Sequence, residues 1–102
     1  MASPQWQQRR QAWVRTWTAR TGRSPTCAIC GASWDLSSGD LHHRSYQRLG
    51  AESDRDLIPL CRRPCHDRLH EILEAHPAWL RLGREAATDV IIARLQTRHD
   101  DR

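Results

Sequence analysis

Cys27-Ala28-Ile29-Cys30-Gly31 and, further along, Cys61-Arg62-Arg63-Pro64-Cys65-His66-Asp67-Arg68-Leu69-His70 are the stretches that decide the fold of this chain. Two short-spaced cysteine pairs separated by a strand-sized insert suit four thiolates around one tetrahedral Zn²⁺, each pair supplied by one turn. Four thiolates leave no open position for water or substrate, so the expected role of Cys27, Cys30, Cys61 and Cys65 is structural. The rival is two disulfides, in any of three pairings. No apolar run resembling the h-region of a signal peptide precedes the cysteines, and a reducing cytoplasm favours metal over disulfide. The second pair is CxxxC instead of the more usual CxxC, and Pro64 is expected to be the additional residue, starting a helix.

That helix carries the next feature. His66 and His70 are four apart, so on a helix they share one face and can bind one ion. Upstream, His42 and His43 are consecutive in a strand candidate and must point to opposite faces. Such a pair can divide labour, one imidazole on a metal and one on a water molecule. The four cysteines cannot share their zinc with these histidines, so a second metal site is expected, with imidazole ligands and room for water.

The flanks read as helical. Ser3-Pro4 makes a helix start and Gly22 a stop, with Trp6, Trp13 and Trp17 at spacings of seven and four on one face, which points to core packing. Thr26 to Gly31 and Ser37-Ser38-Gly39 read as turns. Asp40 to Tyr46 and Asp56 to Leu60 are the strand candidates, joined by a polar linker, and the helix from Pro64 is expected to stop before Pro77. A helical turn over Ala78 to Leu82 is closed by Gly83. A last helix from Arg84 to Thr97 places Ala87, Ile91 and Leu95 on one face, and His99 to Arg102 is expected to fray.

A chain of 102 residues without Phe, 38% hydrophobic, has a thin core in which five Trp supply much of the bulk and for which a metal staple is natural. All 16 basic residues are Arg, the formal charge is +4 and the sequence pI is near 9.4. The guanidinium fork matches phosphate oxygens, so an anionic partner is expected. Four thiolates on one dication would reduce the excess, and its distribution says more than its total. Met1 to Trp34 holds Arg9, Arg10, Arg15, Arg20 and Arg23 and no acid. An amphipathic, acid-poor N-terminus also suits an organellar transit peptide, but three Trp within it favour packing. With no membrane-length apolar run, the protein is expected in the cytoplasm.

The stretch Leu41-His42-His43-Arg44-Ser45-Tyr46-Gln47-Arg48-Leu49-Gly50-Ala51-Glu52, then Asp56-Leu57-Ile58-Pro59-Leu60-Cys61, then Cys65-His66-Asp67-Arg68-Leu69-His70, resembles the HNH endonuclease family. It is most similar to the small bacterial and phage members with HHxxYxxLGxE, DLxxLC and CHxxxH segments. The resemblance runs from Cys27 to His70. It implies an α+β fold: a small ββα-metal, treble-clef-like core with a four-cysteine zinc site, flanked by N-terminal and C-terminal helices. The chain would form a single domain over 1–102, with a basic amphipathic helix in 1–23, the zinc-bound core in 24–76 and a helical extension in 77–102.

Carried over position by position, the resemblance makes His43 the general base and His42, His66 and His70 the ligands of a catalytic divalent cation. Asp56 stands where the family has its central Asn and would orient His43. This sequence contains no Asn, and the CxxxC adds one residue between Asp56 and His66. Arg44, Arg48, Arg62 and Arg63, with Arg55, surround the motif as candidate phosphate contacts. Tyr46 suggests packing, and the role of Glu52 stays open.

The implied activity is metal-dependent hydrolysis of DNA phosphodiester bonds, by nicking or double-strand cleavage, in DNA that is expected to be double-stranded. The cofactors would be structural Zn²⁺ and one catalytic cation, Mg²⁺, Mn²⁺, Ni²⁺ or Zn²⁺. Two alternatives remain: a non-catalytic zinc-stabilised DNA-binding module, or an adaptor of a phage packaging machine acting beside a terminase or another nuclease component.

Overall fold

Helix α1 (Pro4–Thr21) starts and ends where its caps say it should. The Ser3 hydroxyl accepts from the Trp6 amide, Pro4 opens the first turn, and Gly22 closes the last in a left-handed conformation, φ 70°. In this computed structural model, which describes residues 3–100, strands β1 (Gly39–His43) and β2 (Leu57–Cys61) then form an antiparallel pair. The register sets Gly39 opposite Cys61 and His43 opposite Leu57. After β2 come α2 (Asp67–Ala75), α3 (Pro77–Leu82) and α4 (Arg84–Asp100). The result is a small α+β fold of one two-stranded sheet and four α-helices among the described residues, none of which is long and apolar enough to cross a membrane.

The period-2 alternation of the strands sorts their side chains between two cores. Leu41 and Leu57 pack with Trp13 and Trp34, and Trp6, Val14 and Trp17 close in beside them. The Trp stripe of α1 is therefore a packing face, with the Trp13 and Trp34 rings edge to face at 5.5 Å. On the other side of the sheet Leu60 packs with Leu69 of α2, Ile91, Ile92 and Leu95 of α4, and Cys27, Ile29 and Cys65. The Trp34 indole N–H bridges the strands by donating to the carbonyls of Asp40 and Leu60. It comes so near Gly39 that a Cβ there would lie 2.0 Å from the indole nitrogen, which leaves room only for glycine.

Several element boundaries differ from the sequence reading. The first strand stops at His43, because Tyr46 to Ala51 fold into successive turns. The second begins at Leu57, because Asp54–Asp56 form a 3₁₀ turn closed by the Asp56 amide on the Ser53 carbonyl. Regular helix after Cys65 starts at Asp67 and not at Pro64. Arg62–His66 form a wider, irregular turn in which Arg63 is extended (φ −137°, ψ 136°) and the Arg63–Pro64 peptide is cis. α4 continues to Asp100, so His99 is helical; the end of the expected frayed tail lies outside the described residues.

Candidate metal centre and adjoining site

The first cysteine pair sits on a tight knuckle. Gly31 takes φ 75°, the Cys27 amide donates to the Ala32 carbonyl, and the Gly31 amide returns to the Cys27 carbonyl. The Ala28 amide donates to the Pro59 carbonyl and so ties the knuckle to β2. Cys61 ends β2 and Cys65 lies in the irregular turn, so the additional residue of CxxxC is absorbed there. The four sulfurs lie within 4.8 Å of one another, and those of Cys30 and Cys61 are 3.9 Å apart. Tetrahedral metal–sulfur bonds of about 2.3 Å require sulfurs roughly 3.8 Å apart, so the cluster could hold one metal ion. Burial opposes the Cys27 thiolate, yet hydrogen bonds, chiefly from the backbone at Cys30, Cys61 and Ile29, outweigh it and lower this thiol to about 7. Burial pushes the Cys65 thiol strongly up.

The second cluster consists of His42, His66 and His70, whose candidate ligand atoms also lie within 4.8 Å of one another. His42 points from β1 toward α2, its Nδ1 3.4 Å from His66 Nε2, which is 3.0 Å from His70 Nε2. Such separations suit three imidazoles on one cation at bonds of about 2.0–2.1 Å. His42 and His66 have hydrogen-bond partners on their far nitrogens, and His70 faces an exposed carboxylate. Thr88 Oγ1 lies 3.3 Å from His42 Nε2, Asp40 Oδ2 lies 2.8 Å from His66 Nδ1, and Glu74 Oε1 lies 3.6 Å from His70 Nδ1. Partners of this kind hold a ligating imidazole in one tautomer and orientation. Burial first, then the positive charge of Arg84, lowers His42 to about 3, so it stays neutral and able to bind a cation. His70 is lowered by burial and by the charge of His66.

His43 points to the other face of β1, as consecutive strand residues must. Its ring stacks on Trp6, centroids 4.8 Å apart, and lies beside Tyr46, at 5.4 Å. Its Nε2 is 2.8 Å from Glu52 Oε2. Asp56, expected to orient His43, does not make that contact. Its carboxylate is taken by the Arg48 guanidinium, which binds both oxygens, and by the Ser53 amide at 2.9 Å. The reason is local: the 3₁₀ turn directs Asp56 back to its own backbone and to Arg48, whereas the turns of 46–51 bring Glu52 to the imidazole. The hydrogen bonds of Arg48, against the cost of burial, hold Asp56 far below the usual carboxylate range.

The arginines are also redistributed. Arg44 forks onto Asp89 and reaches Glu85 and the Arg55 carbonyl, so it is tied down by contacts within the protein, whereas Arg48 pairs with Asp56 from an exposed position. Arg62 pairs with Asp40 yet stays half exposed, and Arg63 is exposed beside Asp67. In α1, Arg9 donates to the Glu52 carbonyl and to Asp54, and Arg10 to the carbonyls of Leu36 and Gly39. These two dock the helix, while Arg15, Arg20 and Arg23 are exposed.

Three contacts from α4 aim the His42-His43-Arg44 segment. Thr88 meets His42, Arg84 Nε donates to the His43 carbonyl at 2.9 Å, and Asp89 binds Arg44. No motif marks these partners in the sequence, and they lie 46, 41 and 45 residues away along the chain. An open depression of about 420 Å³ is lined by residues from both parts of the site, His43 and Trp6 together with His66, Asp40, Arg62 and Arg10. Compared with known proteins, the chain matches no family model, no curated protein and no solved structure.

Proposed function

We propose that this protein is a metal-dependent HNH-type endonuclease that hydrolyses DNA phosphodiester bonds, with a ββα-metal core held by structural Zn²⁺. The observation that carries the reading is the convergence of His42, His66 and His70, one of which, His66, lines a depression that His43 also lines. A structural zinc domain needs neither this second cluster nor an imidazole poised beside it.

His42, His66 and His70 would hold the divalent cation, which when bound supplies Lewis-acid stabilisation of charge on the phosphate and the leaving 3′ oxygen. Arg62, half exposed at the depression, would draw in the phosphodiester. His43 accepts the proton of the attacking water, a task matched to imidazole near neutral pH. Trp6 and Tyr46 hold the ring against rotation, and Arg84 holds its backbone. Hydrolysis in this sense leaves 5′ phosphates.

The test is a supercoiled-plasmid assay with EDTA and a panel of Mg²⁺, Mn²⁺, Ni²⁺ and Zn²⁺. Cleavage that EDTA abolishes and a divalent ion restores supports the reading. Binding without cleavage under every ion overturns it in favour of a zinc-stabilised DNA-binding module.

A further inference from the structure

We infer that Glu52 is the positioning residue for His43 and that His43 takes its proton at Nδ1. The inference rests on reading His43 as the general base. A carboxylate can only accept, so the 2.8 Å contact from Nε2 to Glu52 Oε2 requires the proton of the neutral ring to sit on Nε2. Nδ1 is then the nitrogen with a free lone pair.

The Glu52 side chain is 4% exposed. Its main chain is anchored by α1, since Arg9 donates to its carbonyl at 3.0 Å, while the same helix supplies Trp6 to the face of the imidazole. Arg9 meets the carbonyl and Asp54, not the Glu52 carboxylate, so the buried charge is directed at His43. Asp56 is committed to Arg48 and Ser53.

In the reaction a water proton passes to Nδ1 and its oxygen bonds to phosphorus as the bond to the 3′ oxygen breaks. The leaving oxygen takes a proton from solvent. The imidazolium, held through Nε2–H by the Glu52 carboxylate, then returns its proton to solvent.

The experiment compares wild type with Glu52→Ala, Glu52→Gln and Asp56→Ala in plasmid cleavage at saturating metal, alongside long-range ¹H–¹⁵N spectra of the His43 ring in the Zn²⁺-loaded protein. Glu52→Ala should lower kcat by about 100-fold, the scale of a misoriented base, with KM and metal content unchanged. Glu52→Gln keeps an acceptor oxygen and should stay within several-fold of wild type, and Asp56→Ala should retain kcat. The wild-type spectrum should show the proton on Nε2.

A folded Glu52→Ala variant with wild-type kcat overturns the inference, as does a wild-type proton on Nδ1. The spectrum decides even if Glu52→Ala does not fold. Should wild type cut nothing under any ion while its spectrum shows Nε2–H held by Glu52, the nuclease reading fails and the pairing stands.

Discussion

Replacing Thr88 by Val tests whether the imidazole cluster is a metal site, because its two metal states respond differently. Thr88 is fully buried on α4, and its Oγ1 lies 3.3 Å from Nε2 of His42, itself 1% exposed. A cation on Nδ1 requires the proton on Nε2, so the hydroxyl accepts from it; valine removes that acceptor at little change in shape. Without the cation, His42 can move its proton to Nδ1 and donate to His66 Nε2, 3.4 Å away, escaping most of the penalty. With the cation that escape is closed, and a buried N–H without an acceptor costs about 1–3 kcal/mol. Metal affinity at this site should therefore fall about 10- to 100-fold, in line with the loss of other partners of metal-bound imidazoles. The thermal midpoint of the protein free of this ion should fall less. Competition titration with Ni²⁺ or Zn²⁺, on protein whose cysteine site stays filled, measures the effect, with Thr88→Ser as the control that keeps the hydroxyl. Val and Ser variants binding metal alike, within two-fold of wild type, would refute the reasoning.

The cysteine cluster should carry one metal ion per chain that withstands mild EDTA, and Cys30→Ser should unfold the domain, because a closed site couples its ion to folding. Elemental analysis with circular dichroism checks this, and a cooperatively folded, metal-free Cys30→Ser protein would contradict it. His43→Ala should abolish plasmid cleavage while metal content and DNA affinity stay near wild type, since His43 lies outside the ligand cluster. His70→Ala should instead weaken metal binding. Asp56→Ala should lower the melting temperature, because it removes the acceptor of the Ser53 amide and opens the turn before β2. Arg48→Ala should do the same, and the double variant should lose less than the sum of the two, as for any coupled pair.

The features legible from the sequence are those that local geometry determines. Helix α1 follows from Ser3, Pro4 and Gly22 because capping is a matter of a few consecutive residues. The four cysteines come together because each pair is bound to its own turn, and His66 meets His70 because four residues make about one helical turn. The opposite directions of His42 and His43 follow from the pleat of a strand. The tertiary structure alone decided which partners these groups have. Both Glu52 and Asp56 are acids within reach of the motif, and spacing cannot separate them; turns over 46–51 and 54–56 give one to His43 and the other to Arg48. Nor does composition distinguish Arg44, forked onto Asp89, from Arg62, which stays half exposed at the open depression. Thr88 carries no signal at all, since a hydroxyl in an amphipathic helix acquires its role only when the fold buries it against His42. Hydrogen bonds between side chains distant in the chain depend on packing angles and rotamers that no short-range periodicity encodes.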